Sequence, residues 1–145
     1  MAGLLCGFFI LLIFSARISG SHFNPAITLA FMFRRDTGRF SRLLGLLYVA
    51  AQYAGALLGA IISYNLFKAA GSTPLTVEVI KVDEDDGSVS YAYIQAMLAE
   101  TIGSMLITFL YLTQTEEKTK MSSDPAITTL IISATYAAVV GMGEL

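Results

Sequence analysis

Asn24 is the residue best placed to act on a solute, because Pro25 follows it directly and the uncharged apolar run from Ala26 to Phe33 follows Pro25. Asparagine is a favoured helix N-cap and proline a favoured first helical residue, so a new helix is expected to start here. Capping would use the amide oxygen and leave two N–H donors facing away from the helix, next to an N-terminus carrying about +0.5 of a charge. Such a group can hold a neutral polar molecule and repel a cation. The plain alternative is an ordinary cap on a surface loop. Gly20, Ser21 and His22 come just before it, and Gly20, Ser21 and Pro25 disfavour a continuous helix through this point. Taken alone, a Ser-Gly-Ser run is a loop. We read His22 as structural, holding that loop, with a pH-sensitive switch as the competing role. The chain offers no nucleophile, acid–base pair or phosphate loop, so it is not read as an enzyme. Its single cysteine, Cys6, excludes an internal disulfide and a cysteine-based zinc site, and we expect it to be a packing residue. No metal site and no cofactor are expected.

The elements that must position these residues follow from composition. With 55% hydrophobic residues, 14% charged residues and a mean hydropathy of +0.67, the 145-residue chain is more apolar than an ordinary soluble domain. An all-α, multi-pass integral membrane protein is expected, with a soluble helical domain as the alternative. The net charge of -2 gives no footprint for nucleic acid. Residues 1–17 form an apolar run ending at Arg17 and read as a membrane helix whose start is clipped. A signal peptide or lipoprotein leader competes, but the basic n-region is missing. Residues 18–34 read as a re-entrant loop and half-helix, since the apolar run after Pro25 spans only about half of a ~30 Å hydrocarbon core. Backbone at that depth must be satisfied by protein or by water.

Four arginines and one acid between Arg34 and Arg42 place the next loop on the cytoplasmic side. Residues 41–67 read as a second full span, with Gln52 as a strongly polar residue and Gly55-Ala56-Leu57-Leu58-Gly59 as a small-xxx-small pattern suited to close helix approach. Residues 68–90 form an acidic extracytoplasmic loop, in which Thr76 to Val82 alternates as a short strand would and simple loop is equally open. Its acidic cluster from Asp83 to Asp86 lacks the spacing of an EF-hand. Residues 91–113 and 125–143 read as two further spans, the first carrying Glu100 and the second opening on Asp124-Pro125.

The segment Ile18-Ser19-Gly20-Ser21-His22-Phe23-Asn24-Pro25-Ala26-Ile27-Thr28-Leu29 resembles the first Asn-Pro-Ala box of the aquaporin and aquaglyceroporin (major intrinsic protein) family. Residues 51–60 resemble the family's third-span pattern and Ala99-Glu100-Thr101-Ile102-Gly103 its fourth. The resemblance implies an aquaporin-like partial bundle of four transmembrane helices plus one re-entrant half-helix. It lacks counterparts of the first span, the second Asn-Pro-Ala box and the sixth span, and is expected to be a truncated member that does not conduct alone.

What the resemblance implies for function is a passive channel for water or small neutral solutes such as glycerol, with Asn24, Pro25 and Ala26 at its centre. Gly20, Ser21 and His22 would offer backbone carbonyls to a file of water. Gln52, Gly55, Gly59 and Glu100 would be supporting residues. The matching glutamate in the family buttresses the second re-entrant loop, so here Glu100 is expected to be orphaned, protonated or aimed at a neighbouring subunit, with a proton relay as the alternative. Tyr136 or Ala138, and Leu4 or Leu5, are the candidates for constriction positions. The expected partners are the lipid bilayer, the solute itself and further copies, a tetramer by family resemblance. The competing classes are a non-conducting partial subunit that assembles with full-length relatives and an ion-coupled transporter with a broken helix.

Overall fold

The computed structural model describes residues 2–34, 40–71, 81–83, 89–91 and 93–142. Five helices carry the chain in the order α1 (Ala2–Ser19), α2 (Pro25–Phe33), α3 (Arg42–Ala69), α4 (Tyr93–Thr115) and α5 (Pro125–Met142). A three-residue hairpin, β1 (Lys81–Asp83) with β2 (Val89–Tyr91), lies between α3 and α4, pairing Lys81 with Tyr91 and Asp83 with Val89. Tyr91 therefore belongs to the hairpin and not to the following helix, as the sequence expectation had it. Most of the alternating stretch, the acidic cluster apart from Asp83, and residues 35–39 of the basic loop lie outside the described residues.

Each helix starts and stops for a local reason. α1 ends at a glycine in the left-handed region: Gly20 has φ +76° and its N–H bonds to the Ala16 carbonyl at 3.1 Å, an αL cap. α2 begins on the Asn24 cap with Pro25 at its first position and stops at the extended Arg34. α3 is capped by Ser41, whose hydroxyl accepts from the Leu44 N–H at 3.1 Å. α1, α3 and α4 are long and apolar enough to cross a membrane, with mean hydropathies of 2.0, 1.7 and 1.5. α5, also expected to span, is apolar over Pro125–Gly141, which is near the lower limit for a crossing. At 28 residues α3 is about 42 Å long, which exceeds a ~30 Å core and calls for tilt.

The interior is built around the short helix. Ile27 and Thr28 of α2 are completely buried, and Ile27 joins Leu12, Ile107, Tyr111, Ile132 and Tyr136 in one cluster drawn from four helices. α5 packs against α1 and α4, and α2 packs against α3 and α4. Among the described elements, the backbone of α3 runs close only to that of α2. Large apolar side chains on α1, α3 and α4 face outward, as in Phe14, Leu57 and Ile94, which is the inside-out distribution that lipid permits. Cys6 is on this outer surface as well, so it does not pack in the interior as expected.

Two glycines set the closest helix approaches. A Cβ on Gly45 would lie 2.4 Å from the Met32 sulfur of α2, and one on Gly103 would lie 2.7 Å from Val139 of α5. Gly55 and Gly59 are exposed with nothing within 4 Å, which corrects the expectation that α3 packs through them in this chain. The reason is length: α2 reaches only about 14 Å along α3 and covers its first half. Gly45→Leu is therefore expected to destabilise the fold by about 1–3 kcal/mol through overpacking, while Gly59→Leu stays within about 0.5 kcal/mol. Thermal unfolding of both variants in one detergent checks the contrast.

Candidate functional site: the loop of residues 20–24 and its cap

The loop turns back on itself through two consecutive left-handed residues, Gly20 at φ +76° and Ser21 at φ +58°. Glycine takes this conformation freely, whereas serine needs compensation of about 1–2 kcal/mol. Ser21 finds it in a buried hydroxyl that donates to the Leu12 carbonyl at 3.0 Å and lies 2.8 Å from the Ser15 hydroxyl. Its own carbonyl accepts from the Phe23 N–H at 2.9 Å.

The other loop carbonyls draw donors from distant helices. Tyr48 of α3 donates to the Ser19 carbonyl at 3.2 Å, Tyr111 of α4 donates to the Gly20 carbonyl, and Gln52 of α3 donates to the His22 carbonyl. Gln52 also donates to the Thr28 hydroxyl at 3.0 Å, so one amide ties the loop to the first turn of α2. This revises the expectation of an open carbonyl ladder at Gly20, Ser21 and His22. Each of the three carries a protein donor, because dry backbone has to be paired, and each keeps one lone pair for another.

His22 is buried in an aromatic ring set. Phe31 lies 4.3 Å away, Phe40 5.3 Å, Tyr111 5.7 Å and Tyr48 5.8 Å between centroids. The side chain thus joins α2, α3 and α4 beneath the loop. Arg34, at the far end of α2, pairs with Glu116 at the end of α4 and stands 5.6 Å from the Phe31 ring, which puts the α4–α5 linker on the same side as the basic loop.

Asn24 has the cap geometry anticipated: its backbone is extended and its Oδ1 accepts from the Ala26 N–H at 2.8 Å. With the oxygen held, both N–H donors of the amide are left unused by the cap. Tyr136 stacks on Phe8 of α1 at 4.4 Å, and Phe8 meets Phe23 edge-on at 6.1 Å. On the linker side of the loop, a cavity of about 370 Å³ is lined by Gly20, Ser21, His22, Tyr111, Lys120 and Thr128. Ala26 lines a separate groove with Glu100, Thr101 and Thr108 of α4.

Asp124 repeats the cap almost atom for atom. Asp124-Pro125-Ala126-Ile127-Thr128 mirrors Asn24-Pro25-Ala26-Ile27-Thr28, and Asp124 Oδ1 accepts from the Ala126 N–H at the same 2.8 Å. That second cap is exposed. Local sequence therefore builds the cap, and burial among other helices makes one of the two a candidate site.

Of the supporting residues expected, only Gln52 supports the loop. Glu100 is exposed and makes no hydrogen bond or ion pair among the described residues. Gly55 borders a groove beneath the loop but touches nothing that would need a glycine. Sequence reasoning missed Tyr48, Tyr111, Ser15 and the Phe8–Tyr136 pair. The usable signal was the tyrosine hydroxyls in otherwise apolar spans, since re-entrant carbonyls need donors and these were the donors in reach.

With this geometry in view, comparison with known proteins places the chain. Residues 3–144 match the family model described as Major intrinsic protein, and the chain belongs to that family. It is 32% identical over 114 residues to a probable aquaporin, PIP2-7, of Oryza sativa subsp. japonica, covering 76% of this chain and 35% of that protein. It is 30% identical over 126 residues to aquaporin-5 of Ovis aries, covering 86% and 43%. It is also 36% identical over 115 residues to aquaporin-B of Dictyostelium discoideum, covering 78% and 34%. The matched region thus spans between 34% and 43% of the length of these relatives. No solved structure matches the chain. Family and helices together define a multi-pass integral membrane protein.

Gln52→Leu is expected to leave the His22 carbonyl and the Thr28 hydroxyl without this donor, at about 1–3 kcal/mol each before relaxation. Hydrogen exchange should rise at residues 20–28 and not in the middle of α5; equal protection in the variant and the parent would remove Gln52 from the loop's support.

Proposed function

We propose that the chain contributes to a passive channel for water and small neutral solutes such as glycerol, with Asn24, Pro25 and Ala26 at the narrow centre, and that it is not an enzyme. The observation that carries this reading is the locked Asn24 oxygen, which leaves two donors at a helix N-terminus inside the protein. Water or a polyol hydroxyl can be held there by both donors, while the partial positive charge of α2 raises the barrier for cations and hydronium. The relatives named above carry the name aquaporin, which fits the same solute class. On the family resemblance we propose further that copies assemble as a tetramer. The lone-pair positions left at Gly20, Ser21 and His22 would extend the path toward the cavity beneath them.

Asn24→Asp removes the donors and adds a negative charge. With each donor worth about 1 kcal/mol, water permeability of proteoliposomes is expected to fall roughly tenfold or more. Asp124→Asn, the same exchange reversed on the exposed cap, leaves it unchanged. Equal permeability of the Asn24→Asp variant and the parent contradicts the reading.

A second reading draws on the open face of α3. Gly55 and Gly59 form a small-xxx-small stripe with no partner among the described residues, which suits association with a helix of another subunit. On this reading the chain is a non-conducting partial subunit that joins full-length family members. Co-purification with such a relative, lost in Gly55→Leu with Gly59→Leu, is the expected result; retention in the double variant removes the stripe from the interface.

A further inference from the structure

We propose that Gln114, near the end of α4, binds the solute in the cavity on the linker side of the loop, as an amide donor set among acceptors. The inference rests on the permeation reading above and adds a second binding position to it, for a small neutral molecule that can both accept and donate a hydrogen bond.

Gln114 is 3% exposed, in a helix apolar enough to cross a membrane. Leucine would fill a similar volume without polar atoms, so the amide costs stability unless its groups are used. One of them is used inside the chain: Oε1 accepts from the Met121 N–H at 3.3 Å, which holds the start of the α4–α5 linker and fixes the orientation of the amide. The two N–H donors on Nε2 have no acceptor among the described residues, and the side chain lines the cavity of about 370 Å³ beside Gly20, Ser21 and His22. Asn24 is held by its oxygen in the same manner, yet Gln114 lies outside the three segments that carry the sequence resemblance.

The hydroxyls that the loop and the helices bring to the same cavity offer acceptors. Ser21 donates to the Leu12 carbonyl, Tyr111 to that of Gly20, Thr115 to Tyr111, Thr128 to Asp124 and Thr129 to Pro125. Each of these protons is spent on backbone, and each oxygen keeps a lone pair. Lys120 and Glu117, the charged residues of the lining, pair with each other at 2.7 Å. Gln114 follows Tyr111 by three residues, on the same face of α4 and about 4.5 Å nearer the linker. Tyr111 holds the Gly20 carbonyl, so Gln114 is the next polar side chain of that face beyond the loop. A molecule leaving the loop carbonyls there can accept from the amide while it donates to the hydroxyl oxygens. Water and an alcohol hydroxyl meet both conditions; a cation, which has no acceptor, does not.

The test uses the full chain in proteoliposomes, with water permeability measured for the parent, Gln114→Glu, Gln114→Leu and Asn24→Asp, and hydrogen exchange followed at the Met121 amide. Gln114→Glu keeps an oxygen for the Met121 N–H and replaces the donors by an acceptor, whereas Gln114→Leu removes both. Both variants are expected to lower water permeability roughly threefold to tenfold, the worth of one neutral hydrogen bond, while the Met121 amide of Gln114→Glu exchanges as in the parent. If only Gln114→Leu loses flux, or if the loss in Gln114→Glu comes with faster exchange at Met121, Gln114 does no more than hold the linker and the proposal is overturned. If only Gln114→Glu loses flux, the added charge is the cause and the proposal is overturned as well. Parent values in both variants, with flux lost in Asn24→Asp, overturn the role of Gln114 and leave that of Asn24 standing. If the parent conducts no water, or Asn24→Asp changes nothing, the permeation reading fails and this inference fails with it.

Discussion

Peptide groups removed from water must find their hydrogen bonds inside the protein, and the loop of residues 20–24 meets that demand with side chains from two helices, α3 and α4, besides its own Ser21 hydroxyl. Leu12 of α1 accepts from Ser21, while Tyr48 and Gln52 of α3 and Tyr111 of α4 supply donors to loop carbonyls. An unpaired amide in an apolar medium costs several kcal/mol, so these contacts decide whether the chain can turn back within a bilayer. They also explain why the core is centred on the nine-residue α2, which links α3 to the rest of the bundle. Side chains that would otherwise be anomalies in apolar helices are the ones that hold the loop.

The paired caps at Asn24 and Asp124 separate what local chemistry does from what context does. Both use the same five-residue pattern and the same 2.8 Å hydrogen bond to start a helix. Only Asn24 is part-buried, and only its neutral amide leaves donors available after capping. At Asp124 the carboxylate offers acceptors alone, and its favourable interaction with the helix dipole is sufficient reason for its presence.

Much of the fold was legible because membrane insertion leaves a coarse record in sequence. Long uncharged runs gave the helical membrane fold, and Asn24 with Pro25 gave the start of α2. Other features depended on contacts that no local window contains. Tyr48 lies 29 residues from the carbonyl that it binds and Tyr111 lies 91 away, so neither could be paired from spacing. Small-residue stripes pointed to Gly55 and Gly59, yet a stripe does not say which turn of the helix meets a neighbour, and Gly45 and Gly103 make the close approaches. Glu100 shows the same limit: its cost in an apolar span was readable, its surroundings were not. The hairpin of β1 and β2 is a few residues of pairing between helices, too short to leave a distinct period.

The account stands on residues 20–24 lying deep in the bilayer with α2 climbing back toward one face. Nitroxide labels at Phe23→Cys and Phe33→Cys, each in a Cys6→Ser background, measure this through their relative accessibility to oxygen and to a polar relaxant. The expected result is a Phe23 label nearer the bilayer centre than the Phe33 label by about 14 Å, the length of nine helical residues. Equal depths, or both labels at the aqueous interface, would contradict it.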